Sequence, residues 1–179
     1  MTESYYDRNI GKQIMGNLGM FLVCAELSKH KLIAMPTSMN TEGCDIVVLN
    51  PKTGRTASIQ VKCSVQADKG GFPTISSTWT DYNQKVEERI SADFFVFVDI
   101  SNPDKPNYFI VSKNEVKALL RSRIEQYLQR YRQKHTREQM LQREKSKSAP
   151  WTIKLISIKR NEYEKRWDTI TNSLQRPTD

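Results

Sequence analysis

The chain has 179 residues, of which 37% are hydrophobic and 27% charged, the balance of a folded domain with a real core rather than of a disordered tail. No apolar run nears the roughly 20 residues of a membrane-spanning helix, and MTESYYDRNIGKQ lacks the basic-then-apolar order of a secretory signal. No membrane partner and a cytoplasmic setting are therefore expected, while a net charge of +8 favours polyanionic partners, nucleic acid first.

Residues 11–30 read as a helix, with Ile14, Leu18, Phe21/Leu22, Ala25 and Leu27 near the 3.6-residue period. Gly16 and Gly19 lie inside it, which predicts close backbone packing on a neighbour. KLIAMP follows as a short strand stopped by Pro36, and TSMNTEGC as a loop in which Asn40 and Gly43 are turn formers. DIVVLN and TASIQVKCS are the next strands, joined by NPKTG, whose Pro and Gly suit a tight hairpin. DKGGFP predicts a turn, TISSTW an extended piece and DYNQKVEERI a helix. DFFVFVDI and NYFIVS are two further strands around the turn-rich SNPDKP.

From Asn114 an amphipathic helix carries Val116, Leu120, Ile124, Tyr127/Leu128 and Tyr131 on one stripe and loses that stripe beyond Gln133. Ten Lys/Arg against four Glu lie between Asn114 and Ser148, so six of the eight excess charges sit in that stretch. WTIKLISI is a last strand and NEYEKRWDTITNSL a last helix. The order predicts one mixed-sheet α/β domain, with residues 1–112 as its core and 113–179 as the long basic helix, return strand and C-terminal helix packed on it.

Chemistry concentrates in the first hairpin. An acid, Asp45, opens one apolar strand, and Gln60 and Lys62 alternate through the next, leaving the same face. A carboxylate and an amide oxygen are hard ligands suited to Mg²⁺, which takes one or two protein ligands and keeps several waters. An ammonium beside them would stabilise developing negative charge. The structural alternative is an ion pair between Asp45 and Lys62, or a lysine stem packed with its head in solvent. For Gln60 the alternative is a hydrogen bond to neighbouring backbone. The three cysteines, Cys24, Cys44 and Cys63, lack metal-site spacing and read as small buried side chains.

Asp45, a hairpin and then QVK resemble the signature of the PD-(D/E)xK nuclease superfamily, in the Gln form of methylation-dependent restriction endonucleases. GNLGMFLVCAELSKHKLIAMPTSMNTEGCDIVV is similar to the helix, strand and loop preceding that motif there and in archaeal Holliday-junction resolvases. The resemblance covers residues 11–65 in motif detail. It implies a restriction endonuclease-like mixed central sheet flanked by helices, with a long basic C-terminal helix, and hydrolysis of DNA phosphodiesters with Mg²⁺ or Mn²⁺ in a restriction or host-defence setting. Carried over, Asp45 and Gln60 would be metal ligands together with the carbonyl of Val61, and Lys62 the catalytic lysine.

RNA stays open as substrate because the metal chemistry does not distinguish the sugar, and two cuts in a duplex suit a homodimer. Arg121, Arg130, Arg132, Lys134 and Arg137 would track a phosphate backbone, or else form a solvated helix face. Trp79 and Tyr82 could stack on bases, though packing is commoner for isolated aromatics; Ser64 and Gln66 could touch a phosphate, which edge-strand polarity explains equally; Glu26 could reach the site, but its helix phase differs from that of Met20 and favours a solvated position. Met20 departs from the family, many of whose members place Glu there. With Gln60 the site has one formal negative charge, which keeps a second reading alive: an inactive nuclease fold acting as a nucleic-acid-binding or assembly module.

Overall fold

The computed structural model describes residues 5–38, 43–64, 75–76, 91–134, 136, 138–139, 152–153 and 160–175. Helix α1 (Tyr5–Lys29) leads into strands β1 (Ile33–Pro36), β2 (Ile46–Leu49) and β3 (Thr56–Ser64). After β4 (Ile75–Ser76) come β5 (Phe94–Asp99), β6 (Asn107–Ser112) and helix α2 (Lys113–Arg132). Strand β7 (Thr152–Ile153) and helices α3 (Arg160–Tyr163) and α4 (Trp167–Ser173) complete the described elements.

Five strands form a mixed sheet in the order β1-β2-β3-β5-β6. Every pairing is antiparallel except β3 with β5, which run parallel with Gln60 beside Phe95 and Lys62 beside Phe97. Strand β3 is therefore central. One face of the sheet buries Ile46, Val48, Ile59, Val61, Val96, Val98 and Ile110 with Val23 and Leu27 of α1 and Trp167, Ile170 and Leu174 of the C-terminal segment. The other face carries Phe95, Phe97, Phe109 and Val111, all buried. Helix α2 packs on β5 and β6, with its buried Val116 outside the α1-side cluster, so the sheet is flanked on both sides.

Local rules explain the elements. Gly19 lets the α1 backbone lie on β3: a Cβ there would stand 2.5 Å from the Cys63 Cβ and 3.1 Å from its Sγ. Gly16 shows no such approach, so only one of the two helix glycines answers to sheet packing. Helix α1 stops without glycine, through Lys31 in the left-handed region (φ 61°). The Leu32 N–H then returns to the Leu27 carbonyl at 3.1 Å as Leu32 buries. In the β2–β3 turn, Gly54 (φ +72°) supplies the conformation that L side chains resist. Helix α2 starts with a capping box: Glu115 accepts from the Ser112 N–H at 2.8 Å and its Oγ at 2.7 Å.

Two expectations are corrected, the place of the basic helix and the continuity of the last one. The basic helix ends at Arg132 and is not C-terminal; the last helix is the short α4, because beyond Gln133 the sequence offers no apolar stripe to dock. Of the predicted strand WTIKLISI, Thr152–Ile153 is a strand that pairs with β4 in a two-stranded sheet, and its other residues lie outside the described ones. The predicted final helix is split: Lys165 takes φ 53°, its N–H bonds the Tyr108 carbonyl at 2.8 Å, and Glu164 bridges Phe109. Pairing to edge strand β6 wins over helix continuity there. DKGGFP, DYNQKVEERI, Asn40, Gln66, Trp79, Tyr82 and Arg137 lie outside the described residues.

Candidate active site

Asp45 sits where β2 parts from β3. Its N–H donates to the Ile59 carbonyl at 2.9 Å, although Ile59 is already the register partner of Ile46. Two residues of one strand thus face one of the other, the pattern of a β-bulge, which re-aims a side chain at a strand end. The carboxylate turns into the sheet: Oδ2 accepts from the Val61 N–H at 2.6 Å. It occupies the place a backbone carbonyl of β2 would fill and lies against the peptide joining Gln60 to Val61. In an extended strand the carbonyl of a residue points to the same edge as its N–H, so the Val61 carbonyl opens on the same gap.

Gly43 and Cys44, just before Asp45, are held from two sides. Thr37 donates from its N–H to the Asp45 carbonyl at 2.9 Å and from Oγ1 to the Cys44 carbonyl at 2.6 Å. Gly43, with φ +74°, is packed so tightly on Ser91 that any Cβ would collide with the Ser91 Oγ. That hydroxyl donates to the Gly43 carbonyl at 3.3 Å. Gly43 is accordingly a turn former, as its loop context predicts.

Gln60 and Lys62 leave β3 on the face of Phe95 and Phe97, each half-buried. Neither side chain makes a hydrogen bond or ion pair among the described residues. Asp45 and Lys62 do not come within the 4.0 Å of an ion pair, so the lysine is not held by the acid. The α2 layer covers the same face over β5 and β6. On it Arg130 is exposed, and Lys134, two residues past the helix end, is exposed too; Arg121 and Arg132 lie on the helix, their side chains outside the described residues.

Other candidates resolve differently. Glu26 pairs with Lys29 at 2.6 Å, away from the hairpin. Met20 is partly buried against the α1-side core and brings no oxygen to the site. Cys63 is half-buried, and burial, with the Asp99 charge adding to it, pushes its thiol up to about 11. It is a packing partner of Gly19 rather than a nucleophile.

Asp93 was not singled out by sequence reasoning. Its Oδ2 accepts from both the N–H and the Oγ of Ser58 at 2.8 Å, so β3 is clasped by an aspartate from each neighbouring strand. The available signal was the same as for Asp45, an acid immediately before an apolar run.

The donors offered are a carboxylate, an amide oxygen and a backbone carbonyl. Among the described residues no three His, Cys, Asp or Glu side chains come together to hold an ion. Hard oxygens with one carboxylate fit in kind the sparse protein ligation of Mg²⁺, and not a zinc cage. Compared with protein-family models, curated proteins and solved structures, the chain matches none.

Proposed function

We propose that this protein is a metal-dependent nuclease of the PD-(D/E)xK type that hydrolyses DNA phosphodiesters. The supporting observation is the 2.6 Å bond from the Val61 N–H to the Asp45 carboxylate, which sets the acid against the peptide beside Gln60 while Lys62 stands two residues on with no protein partner among the described residues. Asp45, Gln60 and the Val61 carbonyl would hold Mg²⁺ or Mn²⁺. When bound, such an ion polarises the phosphate and lowers the pKa of a coordinated water.

The chain's own residues carry the rest. Asp45 is held by the Val61 N–H and by the bulge, so its geometry is set before substrate arrives. Lys62 stabilises the negative charge that develops on the phosphate oxygens, where a positioned cation contributes most. The α2 surface with its exposed Arg130, and the exposed Lys134 just past the helix end, neutralise backbone phosphates and steer the duplex toward the sheet face bearing Gln60 and Lys62.

Met20 favours a second reading, a nuclease fold that binds nucleic acid without cutting it, because an apolar side chain fills the position of the family's helix carboxylate. The experiment is incubation with plasmid, linear and single-stranded DNA, and with RNA, in Mg²⁺ and then Mn²⁺. Metal-dependent cutting lost in Lys62→Ala supports the nuclease, and cutting confined to RNA moves the reading to a ribonuclease. Intact substrate that shifts on a gel selects the binding module.

A further inference from the structure

The Asp45 carboxylate can be aimed only if the backbone behind it is fixed. In an extended strand the N–H and C=O of one residue point to the same edge. Those of Asp45 point to opposite edges. Its N–H donates to the Ile59 carbonyl of β3, and its carbonyl accepts from the N–H of Thr37, just past the end of β1, both at 2.9 Å. This departure from extended backbone turns the side chain into the sheet, and regular strand pairing does not hold a residue that way. Something else must hold it.

Thr37 grips both sides of the Asp45 Cα. Peptide units are planar, so the two that flank this atom set its φ and ψ between them. The unit before it is pinned at both ends: the Cys44 carbonyl accepts from the Thr37 Oγ1 at 2.6 Å, and the Asp45 N–H reaches Ile59. The unit after it is pinned at the Asp45 carbonyl by the Thr37 N–H. Only the side-chain torsions of Asp45 then remain, and the 2.6 Å bond from the Val61 N–H to Oδ2 settles them. Any residue but proline could supply the Thr37 N–H. The hydroxyl depends on this side chain, and Thr37 is half-buried, so its bond to Cys44 is partly shielded from competing water.

We propose that Thr37 is a positioning residue of the site: its hydroxyl, acting through the Cys44 carbonyl, keeps the Asp45 carboxylate on the Val61 N–H in the pose that receives the metal ion. The part played in metal binding rests on the nuclease reading, whereas the hold on Asp45 does not. Groups that orient a metal ligand without touching the ion change affinity or activity by roughly 10–100-fold when lost.

Two measurements on Thr37→Val test it, since valine keeps the shape and loses the hydroxyl; Thr37→Ala is a second form without it. Thr53→Val is the control, because it removes a hydroxyl-to-carbonyl bond of the same kind at the hairpin turn. Without metal, hydrogen exchange of the Val61 amide, read by NMR, should quicken about 10-fold in Thr37→Val. It should stay at the wild-type rate in Thr37→Ser and Thr53→Val. Mn²⁺ binding, read from the free-ion EPR signal, should weaken by roughly 10–100-fold in Thr37→Val and recover in Thr37→Ser. A Val61 amide that keeps its wild-type rate in Thr37→Val, or quickens as much in Thr53→Val, overturns the proposal. So does a Thr37→Val variant that binds Mn²⁺ as tightly as a wild type that binds it. A wild-type chain that binds no Mn²⁺ overturns the metal reading alone, and the Val61 amide then decides on Thr37 by itself.

Discussion

At the turn of the β2–β3 hairpin most polar side chains are bonded; at its open end, among the described residues, Gln60 and Lys62 are not. Asn50 is buried, gives its Nδ2 to the Leu174 carbonyl at 3.3 Å and takes the Lys52 N–H on Oδ1 at 2.9 Å. Thr53 Oγ1 donates to the same Leu174 carbonyl at 2.7 Å. Arg55 is the exception, with Nη1 buried and unpartnered. At the far end Asp45 makes one side-chain bond, and Gln60 and Lys62 make none among the described residues. The turn is where the hairpin is fastened to the rest of the molecule. The open end leaves two polar side chains without a bond among the described residues, which is the contrast the proposed ligand site rests on.

That contrast can be broken by substitution. Asp45→Asn keeps the bond to Val61 but removes the charge; metal-dependent cleavage should fall by at least ~100-fold, with Tm within about 2 °C of wild type. A large fall in Tm would make the open end structural as well and erase the contrast. Gly19→Leu forces a side chain into Cys63 and should cost about 1–3 kcal/mol, read by urea denaturation; it tests whether the sheet beneath the site tolerates any shift of α1. Asn50→Ala leaves the Leu174 carbonyl short of a donor and the Lys52 N–H without an acceptor. A loss of about 1–3 kcal/mol, or roughly 2–4 °C in Tm per kcal/mol, should come with cleavage intact.

The smallest effect is electrostatic. Burial pushes the Glu115 carboxyl upward, but hydrogen bonds from Ser112 and Arg166, together with the Arg166 charge, outweigh it and hold the group below its usual value. A depressed folded-state pKa adds stability that is present above the unfolded value of about 4.3 and is lost as pH falls through the folded one. The Tm difference between wild type and Glu115→Gln should therefore be full at neutral pH and close in acid. A constant difference across that range would assign Glu115 a role independent of its charge.

Much of the frame was legible because periodicity reports burial: DFFVFVDI and TASIQVKCS name their strands, and the Gly19 contact follows from a glycine inside an amphipathic helix. Asp45, Gln60 and Lys62 stood out because polar residues in apolar runs ask for a reason. The bulge that turns Asp45 into the sheet could not be read, since it rests on pairing with residues 14 positions away and has no local code. The break at Lys165 escaped for a similar reason. NEYEKRWDTITNSL has helical propensity throughout, and only the free edge of β6 explains why two of its residues pair as strand instead.

The Asn50–Leu174 bond joins groups 124 positions apart, which has a consequence during synthesis. At roughly 5–20 residues per second a ribosome needs about 6–25 s between adding the two. Throughout that interval the Asn50 amide and the Thr53 hydroxyl of the nascent hairpin lack the Leu174 carbonyl to which both donate. A product cut short before Leu174 would leave both donors without that acceptor, and the hairpin turn unfastened from the C-terminal segment.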